Sequence, residues 1–321
     1  MKKLSIVIPV YNVGDLAVRA SKSIASQYFD VIEIVVVDDG SNDDSPQKCL
    51  IALAATSIIF VKQENKGLSE ARNAGIYAAT GDYILFLDAD DFLLPDALIN
   101  ICNLIDKENP DVIFGRHMVW CDTKGFSRPK SLRTPFPRDR ANLTGYILGE
   151  MPEYSWNAWR YIIKRSFVIT NNLFFERGVL CEDVPWTLSI LENANKISFL
   201  PTPFYAYHHN RDGSIMSKKE PKRLVDLNNS IFRLVSEYKH RTEISTALIW
   251  QSFLYINEYC MFRGKERLQV FEAYRKVMPL YAYSSFWIHK PLSKCRSPFI
   301  FLCLSSLLYI LKVARRVIKY T

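Results

Sequence analysis

A chain of 321 residues, with 49% hydrophobic and 23% charged residues, 12 Gly and 15 Pro, is long enough for about two domains of ~100 to 200 residues and a sizeable buried core. That composition excludes a disordered, collagenous or small disulfide-stapled protein. The seven cysteines stand singly with no C-x-x-C pair, which argues against a thiolate zinc site and fits a reducing cytosol. The formal charge of +8 is uneven: from Cys260 onward twelve basic residues face only Glu266 and Glu272, a net of +10, so the first 259 residues sum to −2. A near-neutral body with a basic end points to an anionic surface, either nucleic acid or anionic lipid.

Met1-Lys2-Lys3 precedes an apolar run that ends by Tyr11 and is followed by Asp15 and Arg19, too short for an export signal and suited to a buried first strand. Apolar runs at 4–10, 33–37, 57–61 and 83–87 predict four parallel strands buried on both faces. Between them, Leu16, Ala20 and Ile24 mark one helical stripe, and 46–55 and 68–79 two more helices. This β-α alternation predicts an α/β fold, an open parallel sheet with helices on both faces whose ligands bind at the carboxyl ends of the strands. Neither a G-x-x-x-x-G-K-[ST] loop nor a G-x-G-x-x-G after the first strand occurs, which argues against a P-loop ATPase and a dinucleotide-dependent dehydrogenase. A Pro-, Arg- and Lys-rich stretch at 123–140 precedes Trp156, Trp159 and Glu182-Asp183. Beyond about residue 216, Leu224, Leu227, Ile231, Leu234, Val235 and Tyr238 keep one helical face apolar.

Chemistry concentrates where the strands end. The run 83–87 leads into Asp88-Ala89-Asp90-Asp91, whose three mutually repelling carboxylates suit a hard cation such as Mg²⁺ or Mn²⁺; an acidic turn capping the next helix is the plainer alternative. Asp38-Asp39-Gly40-Ser41 ends another strand, either as an Asx turn or as an acceptor for a nucleobase N–H. In Asn65-Lys66-Gly67-Leu68-Ser69-Glu70-Ala71-Arg72-Asn73-Ala74-Gly75, Gly67 breaks the chain and Arg72 sits one turn into a helix, within reach of a diphosphate or on a solvated face. Trp156 and Trp159 suit core packing more than a sugar platform, and His208-His209 suits a surface pair or one contact to a metal or diphosphate.

Together with Ile6-Val7-Ile8-Pro9-Val10-Tyr11-Asn12, these segments closely resemble the family 2 glycosyltransferases, in family order and spacing, strongly over 3–115 and weakly to about 216. The resemblance implies a Rossmann-like A-type nucleotide-sugar fold (GT-A) at 1–215, with a nucleotide-sugar half at 1–115 and an acceptor half at 116–215, followed by a helical region at 216–321. It implies that Pro9, Tyr11 and Asn12 line a uridine pocket, that Asp39 binds the base, and that Lys66, Gly67 and Arg72 lie by the nucleotide. Asp90 would be the direct metal ligand, with Asp88, Ala89 and His208 contacting ribose, diphosphate or the metal shell. Asp183, in Leu180-Cys181-Glu182-Asp183-Val184-Pro185-Trp186, would be the catalytic base, against the alternative of a charged first helical turn. Arg211 and Ser214 belong to a segment resembling the family's closing loop near the diphosphate. The Q-x-x-R-W signature of processive synthases is absent. The implied activity is metal-dependent, inverting transfer of one hexosyl or N-acetylhexosaminyl unit from a nucleotide sugar, expected to be UDP-linked, to a lipid-linked or cell-surface glycan.

The end of the chain bears on location. Ser297-Pro298 suits a helix start, and 299–311 is almost wholly apolar, ~20 Å as a helix against a ~30 Å hydrocarbon core. Basic residues flank it on both sides, so the expectation is a helix over 298–319 lying on the cytoplasmic face of an anionic membrane, against a packed terminal helix of the body. Two other classes compete. A non-catalytic sugar-nucleotide or glycan-binding module conflicts with the intact Asp88, Asp90 and Asp183. A nucleic-acid binder lacks a recognised motif, so no nucleic-acid partner is expected.

Overall fold

The computed structural model describes residues 3–127, 143–150, 156–209 and 220–283. The described chain falls into two units, one drawn from Met1–Phe136, Trp156–Gly178 and Trp186–Ser214, the other from Pro137–Ser155, Val179–Pro185 and Ile215–Thr321.

The first unit is built on a sheet. All seven residues of β1 (Leu4–Val10) are buried, and its neighbour β2 (Ile32–Asp38) is buried along its whole length as well, because helices cover both faces. The two strands pair in parallel from Leu4 opposite Ile32 to Val10 opposite Asp38. Outside them β3 (Ile58–Lys62) adds in parallel to β2, and β4 (Tyr83–Phe86) in parallel to the other side of β1. The crossovers are α1 (Leu16–Ala25), α2 (Ser45–Ala52) and α3 (Leu68–Ala78). The chain thus winds outward from β1 to β3 and returns to the opposite side of β1, which opens a crevice at the carboxyl ends of β1 and β4.

The remaining strands extend the sheet past β4. They are β5 (Phe92–Leu93), β6 (Val112–Cys121), β7 (Gly125–Phe126), β8 (Tyr161–Lys164) and β9 (Ile197–His208). The order is β3-β2-β1-β4-β8-β6-β9-β5, with β7 on β6. Here the sheet is mixed: β8 runs antiparallel to both β4 and β6, and β9 runs parallel to β6. Helix α4 (Ala97–Glu108) packs on β9, and α5 (Leu143–Glu150), α6 (Arg165–Thr170) and α7 (Asp183–Asn193) follow it in the chain.

Two details fix the site-bearing half. Glu33, 3% exposed inside β2, accepts hydrogen bonds from the Ser5 hydroxyl at 2.6 Å and from the backbone N–H of Thr80 at 2.8 Å. It thereby pins the turn between α3 and β4 to the lower edge of the sheet. Midway along β1, α3 lies close because Gly75 has no side chain; a Cβ there would come 2.2 Å from Val7 Cγ1.

In the second unit, α8 (Pro221–Glu237) buries Leu224, Leu227, Ile231, Leu234 and Val235, the stripe expected from its periodicity. It packs against α9 (Thr242–Leu254) and α10 (Gly264–Val277). An ion pair of Arg223 with Glu258 is buried among them. Among the described residues no helix is long and apolar enough to cross a membrane. The expected membrane-facing helix at 298–319, like Arg211 and Ser214, lies outside the described residues.

Candidate active site

Four strand ends of the first unit supply the candidate residues. After β1, Tyr11 is 44% exposed, and Asn12 takes a positive φ of 49° with its side-chain oxygen accepting the Asn42 N–H at 2.8 Å. At the end of β2, Asp38 accepts the N–H of Ser41, three residues on, at 2.8 Å, which holds the turn. Gly40 in that turn has φ 75°, and a Cβ would meet the Asn65 nitrogen at 2.8 Å, so conformation and space both require glycine.

Asp39, 4% exposed, turns toward the segment after β3. Its Oδ1 accepts the Lys66 N–H and the Gln63 side-chain amide at 2.9 and 2.7 Å, and its Oδ2 accepts the Gly67 N–H at 2.9 Å. The structure therefore brings Asp39, Lys66 and Gly67 together through the backbone, leaving the Tyr11 and Lys66 side chains exposed beside them. Gly67, with φ 88°, starts α3.

Arg72, one turn further, is 1% exposed. Its guanidinium rests 5.3 Å from the Phe175 ring centroid and 5.9 Å from that of Phe86, and donates to Asp88 at 3.0 Å. Trp186 closes this aromatic wall, stacked on Phe175 at 4.4 Å with its ring N–H on the Leu173 carbonyl. Asn73 beside it clamps Phe175 with two bonds, donating to its carbonyl at 3.0 Å and accepting its N–H at 2.9 Å. Nothing in the sequence reading singled out Asn73 beyond its place in a motif.

After β4, one carboxylate oxygen from each of Asp88, Asp90 and Asp91 lies within 4.8 Å of the others. Asp88 and Asp90 are half-buried, whereas Asp91 is 1% exposed. Burial, then the charges of Asp90 and Asp88, push the Asp91 pKa well above the ordinary carboxylate value, against the hydrogen bonds it accepts. Those come from β9: the His208 N–H and the Tyr205 hydroxyl, each at 2.7 Å. The same Tyr205 oxygen accepts the Asp88 N–H at 3.2 Å. Tyr205 is held in turn by Trp159, stacked on it at 4.4 Å and 8°; Trp159 is 1% exposed and Trp156 3%, so both are core residues.

His208 stands beside the cluster rather than in it. Its Nδ1 meets Arg19 Nη2 at 2.7 Å, and because a guanidinium only donates, Nδ1 is the acceptor. Nε2 therefore carries the proton and donates to Asp122 at 2.8 Å. Both ring nitrogens are thus engaged by protein groups. Tyr205 reads in sequence only as part of the segment resembling the family's closing loop, and Arg19 only as a charge that follows the first apolar run. Tyr205 lies 114 residues from Asp91, and Arg19 lies 71 from Asp90 and 189 from His208.

In the second unit Glu182 is buried, and Asp183 is a half-buried first residue of α7 (Asp183–Asn193), following Cys181 at φ 63°. Asp183 thus stands in the first turn of that helix.

Comparison with known proteins decides the family. The model of glycosyl transferase family 2 matches residues 5–173, more than half of the chain. The chain belongs to glycosyl transferase family 2. This family 2 member is 29% identical over 232 residues to the uncharacterized glycosyltransferase YibD of Escherichia coli (strain K12), covering 69% of this chain and 66% of YibD. It is 30% identical over 217 residues to the succinoglycan biosynthesis protein ExoO of Rhizobium meliloti, covering 66% of this chain and 62% of ExoO. The matched stretch thus spans about two thirds of these relatives' own length. The crystal structure of S. aureus TarS 1-349 in complex with UDP-GlcNAc superposes with a TM-score of 0.77 over 97% of this chain and 92% of that one. At 21% identity this likeness is one of fold, and it agrees with the GT-A architecture.

Proposed function

We propose that this family 2 glycosyltransferase moves a single sugar, with inversion, from a nucleoside diphosphate sugar to a lipid-linked or cell-surface glycan, with a divalent cation held at Asp88 and Asp90. The observation that carries the reading is the convergence of Asp88, Asp90 and Asp91 at the carboxyl end of β4 with Arg72 on Asp88. Hard carboxylate oxygens in a half-open cluster fit Mn²⁺ or Mg²⁺, which take further oxygens from a phosphate. When bound, such an ion neutralises the charge that develops on a departing diphosphate.

The chain's own groups do the rest. Asp91, anchored by Tyr205 and His208, is the fixed base of the loop, so Asp88 and Asp90 face the crevice from a braced turn. Arg72 is already desolvated against Phe86 and Phe175, and its charge is therefore strong toward a diphosphate at Asp88. In this reading Pro9, Tyr11 and Asn12 border the base, and Asp39 holds the Lys66-Gly67 turn in the conformation that receives the nucleotide. Asp183 accepts the proton of the attacking acceptor hydroxyl, a role assigned through the family motif, and Arg211 and Ser214 close over the diphosphate. The UDP-GlcNAc of TarS, in a similar fold, supports a uridine donor. The acceptor class and a peripheral seat on the inner membrane face, through 298–319, rest on the basic, apolar end of the sequence.

A panel of UDP-, GDP- and dTDP-sugars incubated with the protein and Mn²⁺ tests the donor assignment by nucleotide release. Metal-stimulated release from one UDP-sugar is expected. Release from none of them, by protein that unfolds cooperatively on heating, removes the donor assignment.

A further inference from the structure

The structure assigns to Arg19 of α1 a positioning role: through the Asp90 carbonyl and the His208 ring it fixes the acidic loop, and so sets how tightly that loop holds a divalent cation. The inference rests on the proposed metal reading of Asp88 and Asp90. One guanidinium nitrogen, Nη2, donates to the Asp90 carbonyl at 2.9 Å and to His208 Nδ1 at 2.7 Å. The guanidinium carbon lies 4.8 Å from the centroid of Phe92, which directly follows the acidic residues. Arg19 therefore touches the loop on both sides of Asp91. The Asp90 peptide is held from outside the sheet by α1, while Asp91 is held from inside by β9.

His208 is the hinge of this arrangement. Its backbone N–H binds Asp91, its Nδ1 accepts from Arg19, and its Nε2 donates to Asp122. Asp122 is itself steadied by the ring N–H of Trp120 at 3.0 Å. The chain Trp120, Asp122, His208, Arg19, Asp90 joins β6, β9 and α1 to the acidic turn. A side chain of this kind, which touches the ligating residue and not the ion, orients the ligand.

A cation beside a cation site has two opposed effects, and the geometry decides between them. The Arg19 charge repels a metal ion, whereas its hydrogen bonds fix the ligands. Asp122 lies 3.9 Å from Arg19 and on the far nitrogen of His208, so the Arg19 charge has a counter-ion outside the loop. Direction, not charge, is what Arg19 supplies.

Titration of Mn²⁺ into the full chain with saturating UDP, read by the electron paramagnetic resonance of free Mn²⁺, tests this with Arg19→Lys and Arg19→Met. Lys keeps the charge but cannot hold the carbonyl and the imidazole together from one plane; Met loses both. Both variants are expected to bind Mn²⁺ about tenfold more weakly, the lower end of the effect typical of such supporting residues, with a thermal midpoint near that of wild type. His208→Phe should weaken binding in the same direction. If Lys binds like wild type and Met binds more tightly, Arg19 acts through charge and the proposal fails. If both bind like wild type it also fails. Should wild type itself bind no Mn²⁺, the metal reading fails first, a result separable from the other two.

Discussion

Tyr205→Phe removes one oxygen from beneath the acidic loop and leaves every ring contact in place. The stacking on Trp159 survives, since the ring is unchanged. Two bonds vanish: the 2.7 Å donation to Asp91 and the 3.2 Å acceptance from the Asp88 N–H. A hydrogen bond contributes about 0.5 to 1.5 kcal/mol and a buried group left without its partner costs about 1 to 3, so a loss of about 2 to 3 kcal/mol is expected. For a domain of about 150 to 250 residues each kcal/mol lowers the midpoint by about 2 to 4 °C, so the thermal transition should fall by about 4 to 12 °C. Thermal unfolding by circular dichroism measures it. A cycle with Asp91→Asn isolates the pair, and the two changes together should cost at least about 1 kcal/mol less than their sum. A midpoint within 1 °C of wild type, or strict additivity, refutes the view that β9 braces the loop.

Asp183→Asn should keep donor binding and lose about 10²-fold or more in transfer rate, measured with a fixed acceptor; a loss under threefold assigns proton acceptance elsewhere. Gly40→Ala should weaken UDP binding at least tenfold by calorimetry, because the new Cβ strikes the Asn65 nitrogen at a φ of 75°; unchanged affinity contradicts the account of that turn. Glu33 gives a pH dependence: burial raises its pKa, but bonds from Ser5 and Thr80 outweigh this and hold the carboxyl below its ordinary 4.5. A depressed folded value means stability present above about pH 4.5 and lost as pH falls through the folded value. The midpoint gap between wild type and Glu33→Gln should therefore be widest near pH 7 and narrow below pH 4.5; a gap constant from pH 7 to 4 argues against it.

Much of the nucleotide-side half was legible in the residue order. Unbroken apolar runs announce strands buried on both faces, and the observed β1 and β4 begin where those runs begin; β3 is displaced by one residue, to Ile58–Lys62. The D-x-D was equally plain from the acidic run that follows an apolar strand. What a local pattern could not carry was Asp91. Adjacent to two half-exposed carboxylates, it points into the core only because Tyr205 and His208 arrive 114 and 117 residues later. The mixed half of the sheet was hidden for the same reason, since β8 and β9 gain their places from pairings across long separations. Arg19 reads as an ordinary polar residue of an amphipathic helix until His208, 189 residues on, gives its guanidinium an acceptor.

The central claim is that the acidic loop holds a divalent ion which joins the protein to a nucleoside diphosphate. Calorimetric titration of UDP into wild type and Asp90→Ala, each with Mn²⁺ and with excess chelator, tests it directly. The account predicts that chelation weakens UDP binding to wild type at least tenfold, and that Asp90→Ala binds weakly under both conditions while its thermal midpoint stays near that of wild type. Equal UDP affinity in wild type with Mn²⁺ and with chelator would contradict it.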